Sequence, residues 1–214
     1  MPDHYLAVRD RASFMDRFGL VPPAGAAEVG IGQQGMFVRR PRADTIGNGP
    51  LPPLEVATGR WGLIPLFSKE GQDRLFEAPS ETAATERNFY QPWKRGHRCV
   101  ILASALFDPE GCDGASAVRI ARADGRAFCI AGLWNGWRSP AGECVESFAM
   151  LTIDATEEAL MRHLPAGRPR RRPVILPDAW VDDWLHAPVE ETATFLRPYP
   201  LEVLVAEAVA HPAA

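Results

Sequence analysis

The sequence predicts an α+β domain built on an antiparallel, barrel-like β-sheet with short helices around it. Three observations carry this expectation. The middle of the chain, from about Ala117 to Ile153, is a succession of β-rich runs separated by tight-turn residues. Helical patterns lie outside that stretch, so strands and helices do not alternate as they do in parallel α/β proteins. A chain of 214 residues with 46% hydrophobic content suffices for one core in a single domain spanning residues 1–214.

Taken in order, the first element is a short amphipathic helix over Arg11 to Phe18. Asp10 stands at its cap, Phe14, Met15 and Phe18 recur at helical spacing, and Gly19 followed by Pro22 and Pro23 ends it. A strand near Met36 to Arg40 and another near Leu54 to Leu63 flank a surface loop, Ala43 to Pro53, rich in Gly, Pro and Asn. Ala117 to Ala123, Asp124-Gly125, and Arg126 to Trp137 read as a β-hairpin around a turn that tolerates positive φ. A third strand, Val145 to Ile153, follows the Ser139-Pro140-Ala141-Gly142 turn. Asp154 with Glu157 forms a capping pair for a helix through about Leu164, and a second helix starts near Pro177 and Asp178, burying Trp180 and Trp184 by their i,i+4 spacing.

Composition narrows the function classes. Lys plus Arg is 23 and Asp plus Glu is 27, a formal charge of −4, which argues against a generally basic DNA coat and leaves room for a local basic groove. The longest apolar runs, Val100 to Phe107 and Phe128 to Leu133, are far shorter than the roughly 20 residues a membrane helix requires. No signal-peptide pattern opens the chain, so a cytoplasmic monomer without membrane contact is expected. Cys99, Cys112, Cys129 and Cys144 form no CxxC pair and have no histidine at zinc-finger spacing, so no metal and no cofactor is expected. Cys99 and Cys129 lie in apolar runs and read as buried structural thiols. Trp134, Trp137, Trp180 and Trp184 read as packing residues, and Asp182-Asp183 as a solvated helix face.

Several segments in order resemble the SOS response-associated peptidase family, whose members shield abasic sites in single-stranded DNA by covalent attachment. They are Trp61-Gly62-Leu63-Ile64-Pro65; Ser80-Glu81-Thr82, with Phe89 and then Arg98-Cys99-Val100; Ala131-Gly132-Leu133-Trp134; Ser147-Phe148 to Thr152 with Ala155; and Arg171 with Pro173-Val174-Ile175-Leu176-Pro177, followed by Trp180 and Leu185. The resemblance covers about residues 60 to 185 and implies the family's fold.

At the active-site positions the chain departs from the family. The family begins Met-Cys-Gly-Arg and uses the exposed cysteine's amine and thiol, whereas this sequence reads Met1-Pro2-Asp3-His4-Tyr5. Tyr5 falls where the family often has an aromatic residue, so this start is read as genuine. The family's Asn-Ala-Arg is here Glu77-Ala78-Pro79, its catalytic glutamate corresponds to Asp108, and its catalytic histidine corresponds to Pro169. His163 is the nearest histidine in sequence that could stand in.

Nucleophile, histidine and asparagine are therefore all replaced, which predicts a family member that has lost the thiol chemistry. Arg168, Arg170, Arg171 and Arg172, with Lys94, Arg95, His97 and Arg98, are expected to line a groove, and the DNA-contacting positions are taken as His4, Trp61, Phe67, Thr152 and Arg171. The partner expected is single-stranded or abasic DNA. Two rival expectations stand beside this one. In the first, Pro2, freed by removal of Met1, attacks an abasic aldehyde as a secondary amine, with Asp3 or Asp108 moving protons. In the second, the fold is retained for another partner and neither binds DNA nor catalyses.

Overall fold

Strands that alternate buried side chains on both faces need cover on both, and this chain meets the need by rolling its sheet into a barrel and packing helices outside it. The structure is a computed structural model that describes residues 2–42, 52–73, 75–109, 116–155 and 171–210. Within these the order is β1 (His4–Ala7), α1 (Arg11–Phe18), β2 (Glu28–Gly30), β3 (Gln34–Arg39), β4 (Glu55–Trp61), β5 (Glu77–Pro79), α2 (Tyr90–Lys94), β6 (Arg98–Asp108), β7 (Ser116–Arg122), β8 (Phe128–Arg138), β9 (Cys144–Asp154), β10 (Arg171–Pro173), β11 (Ile175–Leu176), α3 (Val181–His186) and β12 (Leu204–Ala210). Strands β8, β9, β4, β3 and β6 close a ring, because β6 pairs with β8 as well as with β3.

The expected α+β barrel is present, with one correction: the sheet is mixed. β4 and β5 both run parallel to β9, while the other ring pairs are antiparallel. One side-chain parity fills the inside. Phe37 on β3 meets Phe148 on β9 at 5.2 Å between ring centroids, and the Arg39 guanidinium lies 3.9 Å from the Trp134 ring on β8. These contacts span non-adjacent strands and so cross the interior. The other parity, including Val38, Val100, Ala131, Leu133 and Leu151, is covered by Phe14 of α1, by Phe89, and by Trp184 and Leu185 of α3.

The α1 helix forms where the sequence places it. Asp10 accepts from the backbone N–H groups of Ala12 (3.3 Å) and Ser13 (2.8 Å), and Gly19 ends the helix at φ 65°. The second expected helix begins as a 3₁₀ turn at Asp178–Trp180 and continues as α3. Trp184 is fully buried and its indole N–H donates to the Cys99 carbonyl at 2.9 Å, while Trp180 is half-buried edge-on to Phe195. Asp178 joins this turn to the barrel, with Arg17 at 2.5 Å and Arg126 at 2.9 Å. The helix expected from Asp154 to Leu164 falls mostly on 156–170, outside the described residues.

The expected hairpin around Asp124-Gly125 is not formed. β7 and β8 do not pair with each other; both run antiparallel to β6, β8 along Arg98 to Ala103 and β7 along Leu106 to Asp108. They follow one another along a single edge, and the 123–127 segment is an excursion within that line. Asp124 serves this excursion by accepting from Arg122 and from the Arg126 N–H. The outer edge of β7 is taken by β12, which pairs with it from Leu204↔Arg122 to Ala210↔Ser116.

The ring closes at the β4–β9 seam, and the seam explains the Trp-Gly-Leu-Ile-Pro segment. Ile64 N–H donates to the Ser147 hydroxyl (2.9 Å), and Asn135 Nδ2 donates back to the Ile64 carbonyl (2.7 Å), so a chain leaving a strand end is pinned by two buried side chains. At Gly59 a Cβ would stand 2.8 Å from the Glu146 carbonyl carbon and oxygen, a backbone approach only glycine permits. Gly59→Ala is expected to lower stability by about 1–3 kcal/mol through overpacking. Asn135→Ala is expected to cost about 1–3 kcal/mol by stranding the Ile64 carbonyl. Urea unfolding midpoints check both.

Candidate functional site

The candidate residues fall on two walls. The first is built by β1 against β6, where the N–H of Asp3 donates to the Phe107 carbonyl (3.1 Å) and extends the pairing one residue beyond His4↔Phe107. Pro2 is thereby carried beside the Asp108 end of β6, and it is buried. Asp108 shares the parity of Leu106, the partner of Tyr5, so it faces inward and is only 5% exposed. His4 takes the opposite face. It stacks on Phe107 at 4.3 Å, with Nδ1 2.7 Å from Asp3 Oδ1 and Nε2 3.4 Å from Glu28 Oε1. Buried between two carboxylates, His4 is an anchor of β1 and presents no open surface to a DNA strand.

The second wall is formed by β5 and β10 laid on β9. The register sets Glu77 beside Met150, Pro79 beside Thr152, and Arg171 beside Asp154. Proline at 79 costs no ladder hydrogen bond, because Ser80 N–H donates to the Thr152 carbonyl at 2.8 Å. Glu77 Oε2 is buried and has no hydrogen-bond partner among the described residues. Thr152 is fully buried and acts on Arg171: its hydroxyl accepts from Arg171 Nε (2.8 Å) and its carbonyl from Nη2 (2.7 Å). Nη2 also reaches Glu81 Oε2 at 2.6 Å, and Glu81 Oε1 accepts from Asp154 N–H at 3.0 Å. Thr152 thus positions the arginine, and a phosphate at Arg171 would share it with Glu81.

Trp61 joins the walls. It is completely buried, its indole N–H donates to the Phe76 carbonyl (3.0 Å), and Tyr5 meets it edge-on at 5.3 Å. The expected stacking role is corrected on this point, since a ring with no exposed face cannot receive a base. Phe67 fits that role better. It is 46% exposed beyond the signature segment, and the Arg87 guanidinium lies 4.1 Å from its ring.

The expected arginine groove is not assembled as one surface. Arg172 is buried and donates to the Tyr199 carbonyl at 3.0 Å, which makes it structural. Arg98 opens β6 while Asp108 closes it, about 30 Å away along the strand. Pro169, Arg168, Arg170, His163 and Cys112 lie outside the described residues.

The described thiols are not placed for catalysis. Cys99 and Cys129 are fully buried, and burial pushes both thiols up, Cys129 to about 11. Cys144 is exposed at the start of β9, far along that strand from Thr152. Among the described residues no cluster of His, Cys, Asp or Glu could hold a metal ion, and no helix is long and apolar enough to cross a membrane. Sequence reasoning missed the roles of Glu81 and Arg87. Glu81 was visible only as part of a matched block, and its partner is 90 residues away.

The profile of the SOS response associated peptidase (SRAP) family matches residues 15–212, and the chain belongs to that family. It is 29% identical over 131 residues to the abasic site processing protein YoqW of Bacillus subtilis, covering 59% of this chain and 55% of that one. It is 25% identical over 128 residues to the mouse abasic site processing protein HMCES, covering 45% and 36%. The matches therefore span from about a third to about half the length of these curated relatives. A crystal structure of a Bordetella bronchiseptica protein superposes with a TM-score of 0.87 at 38% identity, over 98% of this chain and 100% of that one. One from Bacteroides thetaiotaomicron shares the fold, with a TM-score of 0.77 at 20% identity over 97% and 91%.

The Glu81–Arg171 clip has a pH signature. Partial burial opposes ionisation of Glu81, but the backbone N–H groups of Glu81 and Asp154 and the Arg171 guanidinium outweigh it and hold the carboxyl below its ordinary 4.5. A depressed folded-state value gives stability that is present in full above the ordinary value and lost as pH falls through the folded one. Because Glu81 is 48% exposed, the effect is at most about 1 kcal/mol. Glu81→Gln is expected to be less stable than wild type at neutral pH and to converge with it in acid, read from urea midpoints across that range.

Proposed function

We propose that this protein engages single-stranded DNA at or near abasic sites through the Asp108 end of its barrel, without the thiol-dependent covalent and peptidase chemistry of its family. The observation that carries this reading is the composition of the two walls. They hold Pro2, Asp108, Glu77 and Arg171, joined through Trp61, and no thiol among the described residues. The names of the curated relatives, abasic site processing proteins, supply the substrate class. Exposed Phe67 with Arg87 offers a base a stacking surface beside a cation, and Arg171 offers a phosphate a partly committed guanidinium. Binding of this kind is weak and salt-sensitive, since each phosphate contact releases counterions.

A second reading is favoured by the position of Pro2 beside Asp108. With Met1 removed, the Pro2 nitrogen adds its lone pair to C1′ of the ring-opened abasic aldehyde, giving a carbinolamine. The nitrogen loses its proton, Asp108 protonates the C1′ hydroxyl, and water leaves as the C–O bond breaks and an iminium forms. Loss of a C2′ proton then drives elimination of the 3′ phosphate.

The test is a gel-shift and denaturing-gel assay of mass-verified, Met-free protein on single-stranded oligonucleotides with and without an abasic site, at low and physiological salt. The expected result is salt-sensitive binding with no denaturant-resistant band, even after borohydride. A borohydride-dependent band lost in Pro2→Ala and retained in Cys112→Ser would replace the first reading with the second. A band lost in Cys112→Ser would restore thiol chemistry, and no binding at low salt would remove DNA as the partner.

A further inference from the structure

At the end of β6 remote from Asp108 the chain builds a cleft of about 380 Å³ lined by Arg40, Arg42, Arg95, His97, Arg98 and Trp134. Its charge is unbalanced. Glu55 and Glu146 are already engaged: Arg39 donates to Glu55 at 2.8 Å and to Glu146 at 2.7 Å, and Arg42 donates to Glu146 at 3.0 Å. Arg40, Arg95 and Arg98 have no carboxylate within ion-pair distance among the described residues. The excess of positive charge is felt inside the cleft. The Arg98 guanidinium is held below its ordinary value by burial and by Arg40, and His97 is lowered to about 4 by burial and by Arg95, Arg39 and Arg42, against which Glu146 works.

Two buried nitrogens also lack a hydrogen-bond partner among the described residues. Arg98 is 5% exposed; its Nη1 donates to the Thr192 hydroxyl (2.7 Å) and its Nη2 to the Ala187 carbonyl, yet its Nε has no partner. His97 is stacked on Trp134 at 4.1 Å with 9° between the rings, and its buried Nδ1 likewise has no partner. Leaving a buried guanidinium N–H unsatisfied is costly when a neighbouring acceptor would relieve it. The arrangement is rigid as well, since Trp134 also carries the Arg39 guanidinium at 3.9 Å.

We infer that this cleft binds a phosphate group, with Arg40 and Arg95 as its donors and the stacked His97 ring in its lining. The charge of the phosphate raises the proton affinity of His97, so that the imidazole titrates higher than about 4. The group comes either from a free phosphate or phosphomonoester or from the backbone of a nucleic-acid strand. Because the site is at the far end of β6, it stands apart from the chemistry at Asp108.

The experiment follows the His97 ring resonances by NMR in the full chain, titrated separately with inorganic phosphate and with a short single-stranded oligonucleotide lacking terminal phosphates. The comparison is the Arg40→Ala/Arg95→Ala double variant, whose side chains make no hydrogen bond that holds the fold, as an unchanged urea midpoint without ligand will show. A saturating shift of His97, with its titration midpoint moved upward and the affinity of the double variant weaker by about tenfold or more, is expected, since charge-assisted hydrogen bonds to an anion are strong. A response to inorganic phosphate identifies a free phosphate as the source, and a response to the oligonucleotide alone identifies a phosphodiester. If neither ligand moves His97, or if the double variant responds as wild type does, the inference is overturned.

Discussion

The barrel depends on one seam, the parallel contact between β4 and β9. It is short, with Arg60 beside Ser147 and Trp61 beside Phe148, and Gly62 N–H adds one more bond to the Phe148 carbonyl. Two residues of parallel ladder hold two strand ends weakly, so the seam is reinforced from the side chains. Ser147 and Asn135 clamp the backbone of Ile64, and Gly59 lets the two backbones approach to a distance that no other residue tolerates. Closing the ring there removes two open sheet edges and buries Phe37, Phe148 and Trp61 in one interior.

From that seam both candidate sites follow. Beyond it β9 is flanked on both edges, by β5 on the β4 side and by β10 on the other, and their register delivers Glu77, Pro79 and Arg171 to fixed places. β6, on the far side of the ring, starts paired with β8 and runs past its ring neighbours at its other end. Its final residues carry Asp108 against β1, and its first residues carry Arg98 under Thr192 and Ala187. A single strand thus separates an acidic, proline-bearing end from a basic, aromatic one.

Much of this was legible in the sequence, and the failures have physical causes. The α1 helix was readable because its cap, its periodicity and its terminal glycine agree. The hairpin at Asp124-Gly125 was misread because a two-residue turn signal is local, whereas the choice of partner belongs to β6, which accepts β7 and β8 in succession along one edge. The strand β12 left little trace, since its Leu-Val-Ala-Glu-Ala-Val-Ala run is largely exposed and fits a helix or a strand equally. At the site, the matched segments gave candidate residues but not their orientation. Trp61 and Thr152 were taken as surface contacts, and only the register showed that one ties the walls together and the other holds Arg171.

The fold holds some of these residues more tightly than others. Positions 79 and 108 hold residues that the local backbone accepts without rearrangement: a proline whose missing N–H lies off the ladder at 79, and a buried acid at 108. The residues that remain in the family pattern are those with structural debts. Trp61 carries an indole hydrogen bond and an edge contact, Glu81 is bonded to both Arg171 and the Asp154 backbone, and Arg98 is fastened to two carbonyl or hydroxyl oxygens. Removing any of these leaves a buried or half-buried polar group unpaired, a penalty paid by every folded molecule whether or not it meets a substrate. The segments that make the family resemblance recognisable are therefore largely those that close and pin the barrel, and the chemistry has to be read from the positions that do not.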